Sequence, residues 1–397
     1  MVIQVNGTLE RACFPEPVET YAGRTNGSDE MEAVEEASEE QVALLNTIVY
    51  QHVIPVLIAL AVSTNLLNIF MLWKVRKKQR QHKRTDMETT YKYLMWLAVT
   101  DLLASSSLVP ALIHVDRRVL PYGWAFYYAH LEIPLMNALT SASVYIVVGL
   151  SVDRFVAVCF PRRYRNVNAP RLAVVRITLS LVVPFFIYMP HCFYQRVVCS
   201  ETGQGWTYQG VEAVTGSLAW HVWEIIVELC HRMVPSIILA VLNLCIIVTF
   251  RRIVAQKEGM VRAKRFPKEE AKQDDGGRAQ RERRLVHLLV AVVCCFLLTN
   301  LPAAVLALKD TAGSDFGTFE HEVFRAVANC LEMLGFSLNF VLYFFFVREM
   351  KRVLFDALAL LQSKLCCVAP FVKDNHSASC NEESRVAPNR CSSTEDL

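Results

Sequence analysis

The sequence is poor in the residues that water-facing chains depend on. Of its 397 residues only 20% are charged, and there are 15 glycines and 15 prolines. A soluble multidomain protein of this length would carry more charge on its surface. The 13 cysteines include no CxxC pair, and the close ones, Cys294–Cys295 and Cys366–Cys367, are adjacent. Zinc spacing is therefore missing, and cysteines inside apolar runs behave as small hydrophobes. No nucleophile–base set or phosphate loop is visible, which leaves an enzyme without a chemistry. No internal repeat is apparent, against a transporter of duplicated halves. The opening MVIQVNGTLERACF lacks the apolar core of a signal peptide, so the first apolar run is expected to serve as the insertion signal. Basic residues occur in short bursts rather than over one folded face, which excludes nucleic acid as a partner.

What is abundant is apolar sequence, at 53%. Seven stretches can cross roughly 30 Å of hydrocarbon at a rise of about 1.5 Å per residue: residues 49–73, 91–114, 127–158, 172–193, 218–250, 284–308 and 323–347. The expected fold is an all-α membrane bundle of seven transmembrane helices over residues 49–347. The small net charge of +3 hides a regional split. The first fifty residues hold ten acids against two bases, whereas residues 74–92 hold eight bases against two acids. KVRKKQRQHKR, PRRYR and the charged segment 251–284 follow the first, third and fifth runs, and the positive-inside rule makes them cytoplasmic. Residues 1–48 are then an extracellular tail, in which Asn6-Gly-Thr and Asn26-Gly-Ser are glycosylation sequons. Segment 251–284, broken by Gly276–Gly277, reads as a flexible loop. Residues 348–365 alternate charge and apolarity at helical spacing, as in an amphipathic helix on the inner surface, and Cys366 and Cys367 at its end suit palmitoylation. Residues 366–397 form the cytoplasmic tail.

Ionisable residues inside the runs mark function. Asp153 and Arg154 stand together at the inner end of the third run, in GLSVDRFVAVCFPRRY. Asn65 lies in the first run, Asp101 in LAVTD of the second, and Pro235 in the fifth. FLLTNLP, residues 296–302, keeps Phe296 and Pro302, and NFVLY, residues 339–343, keeps Asn339 and Tyr343. This ordered set resembles the rhodopsin-like (class A) G-protein-coupled receptors over residues 49–367. The resemblance implies a receptor that passes a signal to a heterotrimeric G protein. Asp153 and Glu282 would neutralise Arg154, and release of Arg154 would let the sixth helix swing about Pro302, opening a groove for the partner. Asp101, with Ser143 and Asn339 as its neighbours by family position, resembles a polar switch network and a sodium site; no other cofactor is implied.

The resemblance also narrows the ligand. Met333 stands at the retinal-anchor position, so an opsin is excluded, and Met136 replaces the aspartate that holds amines. The acids present are Glu132, Glu224, Glu228 and Glu332. Glu224, Glu228 and Arg232 follow at i,i+4 spacing, so Glu228 either faces a ligand or pairs with Arg232. Glu132 and Glu332 have no local partner, and each must protonate or meet a cation from another helix or from a ligand. Asn300 in place of the family tryptophan, Phe340 in place of its proline, and Leu242–Asn243 are similar to invertebrate FMRFamide and myosuppressin receptors. That implies an amidated, cationic peptide ligand, with Glu132, Met136, Glu224, Glu228, Asn300 and Glu332 around it. Arrestin and a receptor kinase would act on Ser392, Ser393 and Thr394 in the tail. Cys199 suits the family's loop disulfide, but Ala129 stands where its partner is expected; Cys13, Cys192 or a free thiol all remain open. The alternative reading is a seven-helix channel or transporter with the intramembrane acids as its ion path.

Overall fold

The computed structural model describes residues 2–5, 8–11, 40–81, 88–113, 117–166, 169–200, 203, 205–263, 270–312 and 318–368. It divides into two units, Met1–Lys351 and Arg352–Leu397, and the long helices lie in the first. Among the described residues seven helices are long and apolar enough to cross a membrane: Glu40–Lys78, Glu88–Ile113, Glu132–Cys159, Pro170–Cys192, Leu218–Gln256, Val286–Ala307 and Phe319–Phe346. They are called the first to seventh spans below. A helix satisfies its own backbone, which hydrocarbon demands.

The interior is largely apolar, yet packing departs from that of a soluble protein at the outer surface and at a set of buried polar positions. Leu66, Phe70, Val174, Phe186, Leu244 and Phe345 point outward, while Asn65, Asn68, Thr100, Asp101, Ser105 and Ser151 are buried. Lipid tails accept leucine as readily as a protein interior does, so the groups that gain most from burial are those needing a polar partner. Small residues bring the helices together: Ala61, Ala98, Ala104, Ala138 and Ala142 are completely enclosed. Gly335 of the seventh span is the tightest such place. A Cβ there would lie 2.9 Å from Thr299 Oγ1 of the sixth span.

Prolines shape the spans. Widened π turns occupy Val49–Val53 and Leu229–Met233, each two residues before a proline, Pro55 and Pro235. A proline offers no N–H to the carbonyl four residues earlier, and a local widening accommodates the mismatch. Pro184 and Pro302 lie within the fourth and sixth spans. The third span starts at Glu132, not at residue 127 as the apolar run suggests. A separate helix, Tyr122–His130, precedes it, and Leu131 breaks the helical path at φ −121°, ψ −37°. Pro134 accounts for the break, because its ring would clash with the His130 carbonyl of a continuous helix.

Segment 251–284 is largely helical rather than a flexible loop. One helix runs Val234–Ala263 and the next Glu270–Ala312, straight through Gly276–Gly277. Both extend spans that are already nucleated, so each added residue needs only propagation, and the many Glu, Lys, Arg and Gln outweigh about 1 kcal/mol per glycine.

Strands β1 (Val2–Val5) and β2 (Thr8–Arg11) form an antiparallel hairpin in the N-terminal tail. Between the fourth and fifth spans lies a second hairpin, β3 (Gln195–Cys199) with β4 (Trp206–Gly210). Gly203 takes a positive φ of 67° in its turn, a conformation glycine adopts without strain. Leu120, before the Tyr122–His130 helix, joins β4 through Leu120 N–H to Trp206 O (2.8 Å) and the reciprocal bond (2.9 Å). The second unit continues a helix Arg348–Val368 that exposes Phe355 and Leu358. The side chains of Cys366 and Cys367 lie outside the described residues, as do Asn6 and Asn26.

Candidate functional site

A cavity of about 570 Å³ opens between the first, second, third and seventh spans. Its apolar floor includes Ile54, Ile58, Leu112, Met136 and Met333, and its polar wall Tyr50, Arg117, Glu132, Asn329 and Glu332. Of the expected ligand residues, Glu132, Met136 and Glu332 line it. Glu224, Glu228 and Asn300 do not.

Glu132 and Glu332, the two acids without a local partner, have each found a cation from elsewhere in the chain. Arg117, in the segment between the second and third spans, grips Glu132 with both ends of its guanidinium. Nη1 donates to Oε2 at 2.9 Å and Nη2 to Oε1 at 3.1 Å. The same Nη1 donates to Tyr208 Oη on β4 at 3.0 Å, and the guanidinium lies 4.3 Å from the Tyr128 ring centroid. Thr207 Oγ1, also on β4, donates to the Arg117 carbonyl at 3.1 Å. Burial pushes the Tyr128 phenol up to about 12, against the lowering effect of Arg117. Burial works to lower Arg117, but the Tyr208 hydrogen bond and the Glu132 carboxylate raise it overall, so it stays cationic. Arg117 thus ties the outer end of the third span to the β3–β4 hairpin. Ala129, buried in the Tyr122–His130 helix, cannot make the covalent tie there. Cys199 is nevertheless disulfide-bonded, and Cys192 is a free thiol, so the Cys192 alternative is excluded. The partner of Cys199 lies outside the described residues. Arg117→Ala is expected to weaken the hairpin's attachment by about 1–3 kcal/mol, seen as faster amide exchange across residues 195–210. Arg117→Lys should restore little, since a point charge cannot replace the two-pronged grip.

Glu228 takes the structural option. Arg232 Nη1 donates to Glu228 Oε2 at 2.8 Å, and its Nη2 reaches Glu332 on the seventh span at 3.3 and 3.4 Å. Glu224 accepts from the Trp220 indole at 2.9 Å. Beside Arg232, buried His231 contacts Tyr188 Oη through Nδ1 at 2.6 Å.

Deeper in the bundle a second cavity, of about 40 Å³, is lined by Asp101, Ser143, Phe296, Thr299, Asn300, Glu332, Gly335 and Asn339. Ser143 Oγ donates to Asp101 Oδ1, and Asn339 Nδ2 donates to Oδ2 at 2.7 Å. The second, third and seventh spans therefore meet on one carboxylate. Asn65 Nδ2 donates to the carbonyls of Ala61 (2.9 Å) and Phe336 (3.0 Å), joining the first span to the seventh. Tyr343 is wholly buried and, among the described residues, its hydroxyl has no hydrogen-bond partner.

At the other end of the third span Arg154 Nη2 donates to Asp153 Oδ2 at 2.6 Å and to Tyr164 Oη at 3.4 Å. Arg176 of the fourth span donates to Asp153 Oδ1 at 3.4 Å. Glu282 belongs to the helix Glu270–Ala312, but its side chain lies outside the described residues. Arg117, Arg176 and His231 do not stand out in the sequence, because a basic residue in a loop or in an apolar run gives no sign of its partner.

A family model for the 7 transmembrane receptor (rhodopsin family) matches residues 67–343. The chain belongs to that family. It is a multi-pass membrane receptor that answers a ligand through a G protein, and not an enzyme. Relatives of the receptor include a probable G-protein coupled receptor of Caenorhabditis elegans, 27% identical over 325 residues, covering 78% of this chain and 69% of the relative. Neuropeptide FF receptor 1 of Rattus norvegicus is 26% identical over 332 residues, 76% of this chain and 71% of its own length. The FMRFamide receptor of Drosophila melanogaster is 23% identical over 226 residues, 55% of this chain and 38% of its own length.

Proposed function

We propose that the receptor binds a cationic, amidated neuropeptide from outside the cell and opens the cytoplasmic side of its bundle to a heterotrimeric G protein. The observation that carries this reading is the charge of the 570 Å³ cavity and its surroundings. Among the described residues Glu132, Glu228 and Glu332 pair only with Arg117 and Arg232, so one negative charge is left in a largely apolar enclosure. A ligand with a basic group and an apolar or aromatic side chain complements it. The names of the neuropeptide FF and FMRFamide relatives agree with a peptide.

Asp153 and Arg154 act as the coupling pair in this reading, with Glu282 as a second acid, and Phe296, Pro302, Asn339 and Tyr343 form the moving parts. Oxygen donors around Asp101 suit a sodium ion, which takes hard ligands, and the 40 Å³ cavity has room for one. The receptor sits in the plasma membrane with its N-terminus outside, glycosylated at Asn6 and Asn26. Cys366 and Cys367 carry palmitoyl chains, and the tail recruits a receptor kinase and arrestin.

A library of amidated peptides applied to cells expressing the receptor, read by calcium and cyclic AMP, tests the ligand class. The expected result is activation by a peptide with arginine near its amidated end, and loss of at least about tenfold in potency when citrulline replaces that arginine. Activation by neutral or acidic peptides alone would reject the cationic ligand.

A further inference from the structure

The two cavities share one charged residue, Glu332, which lines both the large outer cavity and the small polar one. Its cation comes from the opposite side of the bundle, from Arg232 on the fifth span. The two contacts of Arg232 are unequal. Its bond to Glu228 is 2.8 Å, whereas both approaches to Glu332 exceed 3.2 Å. Arg232 also sits within the π turn Leu229–Met233, a segment that can tighten to α geometry and so shift the side chain.

We propose that Arg232 is a built-in stand-in for the ligand's cation, holding Glu332 in the resting receptor until a basic ligand group takes its place from the outer cavity. The inference rests on the cationic-ligand reading above. In the exchange Glu332 trades one cation for another, and Arg232 keeps Glu228, so no buried charge is stranded at any stage. That balance makes release inexpensive, since stranding one member of a buried pair is what costs several kcal/mol. Once released, the fifth span is no longer tied to the seventh. The seventh span carries the consequence inward: Gly335, three residues on, packs against Thr299 of the sixth span, and Asn339, seven residues on, holds Asp101. All three positions share one helix face. The sixth span holds Asn300 where the family has its tryptophan, and Asn300 Nδ2 donates to its own helix, to Phe296 O at 2.9 Å, and to Thr299 Oγ1. The ion pair across the bundle supplies the ligand-sensitive contact instead.

Two variants move the resting state in opposite directions. Glu332→Gln removes the latch but leaves Arg232 paired with Glu228. Ligand-free nucleotide exchange on a G protein, measured with receptor in lipid nanodiscs, should rise about fivefold or more. Glu228→Gln removes the fallback partner, so releasing Glu332 would strand a buried guanidinium. Ligand-free exchange should fall, and argininamide, used as the probe cation, should stimulate the receptor less than it does the original. A purely structural role would shift both variants the same way. Matching directions, or unchanged exchange in Glu332→Gln, would overturn the latch. If Glu332→Gln fails to reach the membrane, unchanged or raised exchange in Glu228→Gln alone does so. Ligand-free exchange needs no ligand, so if it moves as stated while no cation activates the original receptor, the Arg232–Glu332 pair still restrains the resting state, but its role as stand-in for a ligand cation is overturned together with the ligand class above.

Discussion

Arg154→Ala is expected to abolish ligand-driven nucleotide exchange while the ligand still binds within about twofold of its original affinity. The structure explains why the fold should tolerate the change. Asp153 is buried and accepts from two guanidiniums, Arg154 and Arg176. Removing Arg154 leaves the carboxylate paired with the fourth span, so no lone buried charge appears. What disappears is the cation that would face the G protein. Asp153→Asn has the opposite effect: Arg154 and Arg176 then face each other without a carboxylate between them. Arg154 is released, and ligand-free exchange should rise. Exchange assays and ligand binding on the same membranes separate the two variants. Stimulated exchange above half of the original level in Arg154→Ala would remove this residue from the coupling role.

Gly335→Val should destabilise the receptor by about 1–3 kcal/mol through overpacking, read as a lower thermal midpoint in lipid. The obstacle is specific. The new Cβ would meet Thr299 Oγ1 at 2.9 Å and its Cβ at 3.2 Å. Thr299 cannot turn away easily, because β-branching restricts its rotamer and its hydroxyl donates to the Phe296 carbonyl at 3.3 Å. The sixth and seventh spans must separate instead. Thr299→Ala deletes the nearest blocking atom, Oγ1, together with Cγ2, and leaves only the Cβ at 3.2 Å, so the double variant Gly335→Val with Thr299→Ala should regain part of the lost stability. Equal losses in the single and double variants would show that the close approach of these spans is not the cause.

Much of this receptor is legible in its amino-acid sequence. Seven apolar runs, each long enough for hydrocarbon, dictate seven helices because no other single segment satisfies its own backbone there. The Asp101, Ser143 and Asn339 set is also legible, through family position rather than periodicity, and the structure brings those three side chains together. Boundaries are less so: the break at Leu131 depends on one proline inside an apolar run, and the Gly276–Gly277 pair reads as a stop where nucleated helices simply continue.

The sequence by itself determined that Glu132 and Glu332, without local partners, would need either a proton or a cation. Only the tertiary structure decided which cation each received. Arg117 lies 15 residues from Glu132, and Arg232 lies 100 from Glu332. Their meeting depends on how far each helix is rotated about its axis and where each loop returns. Helical spacing fixes which residues share a face, but the packing of seven helices together fixes what that face meets.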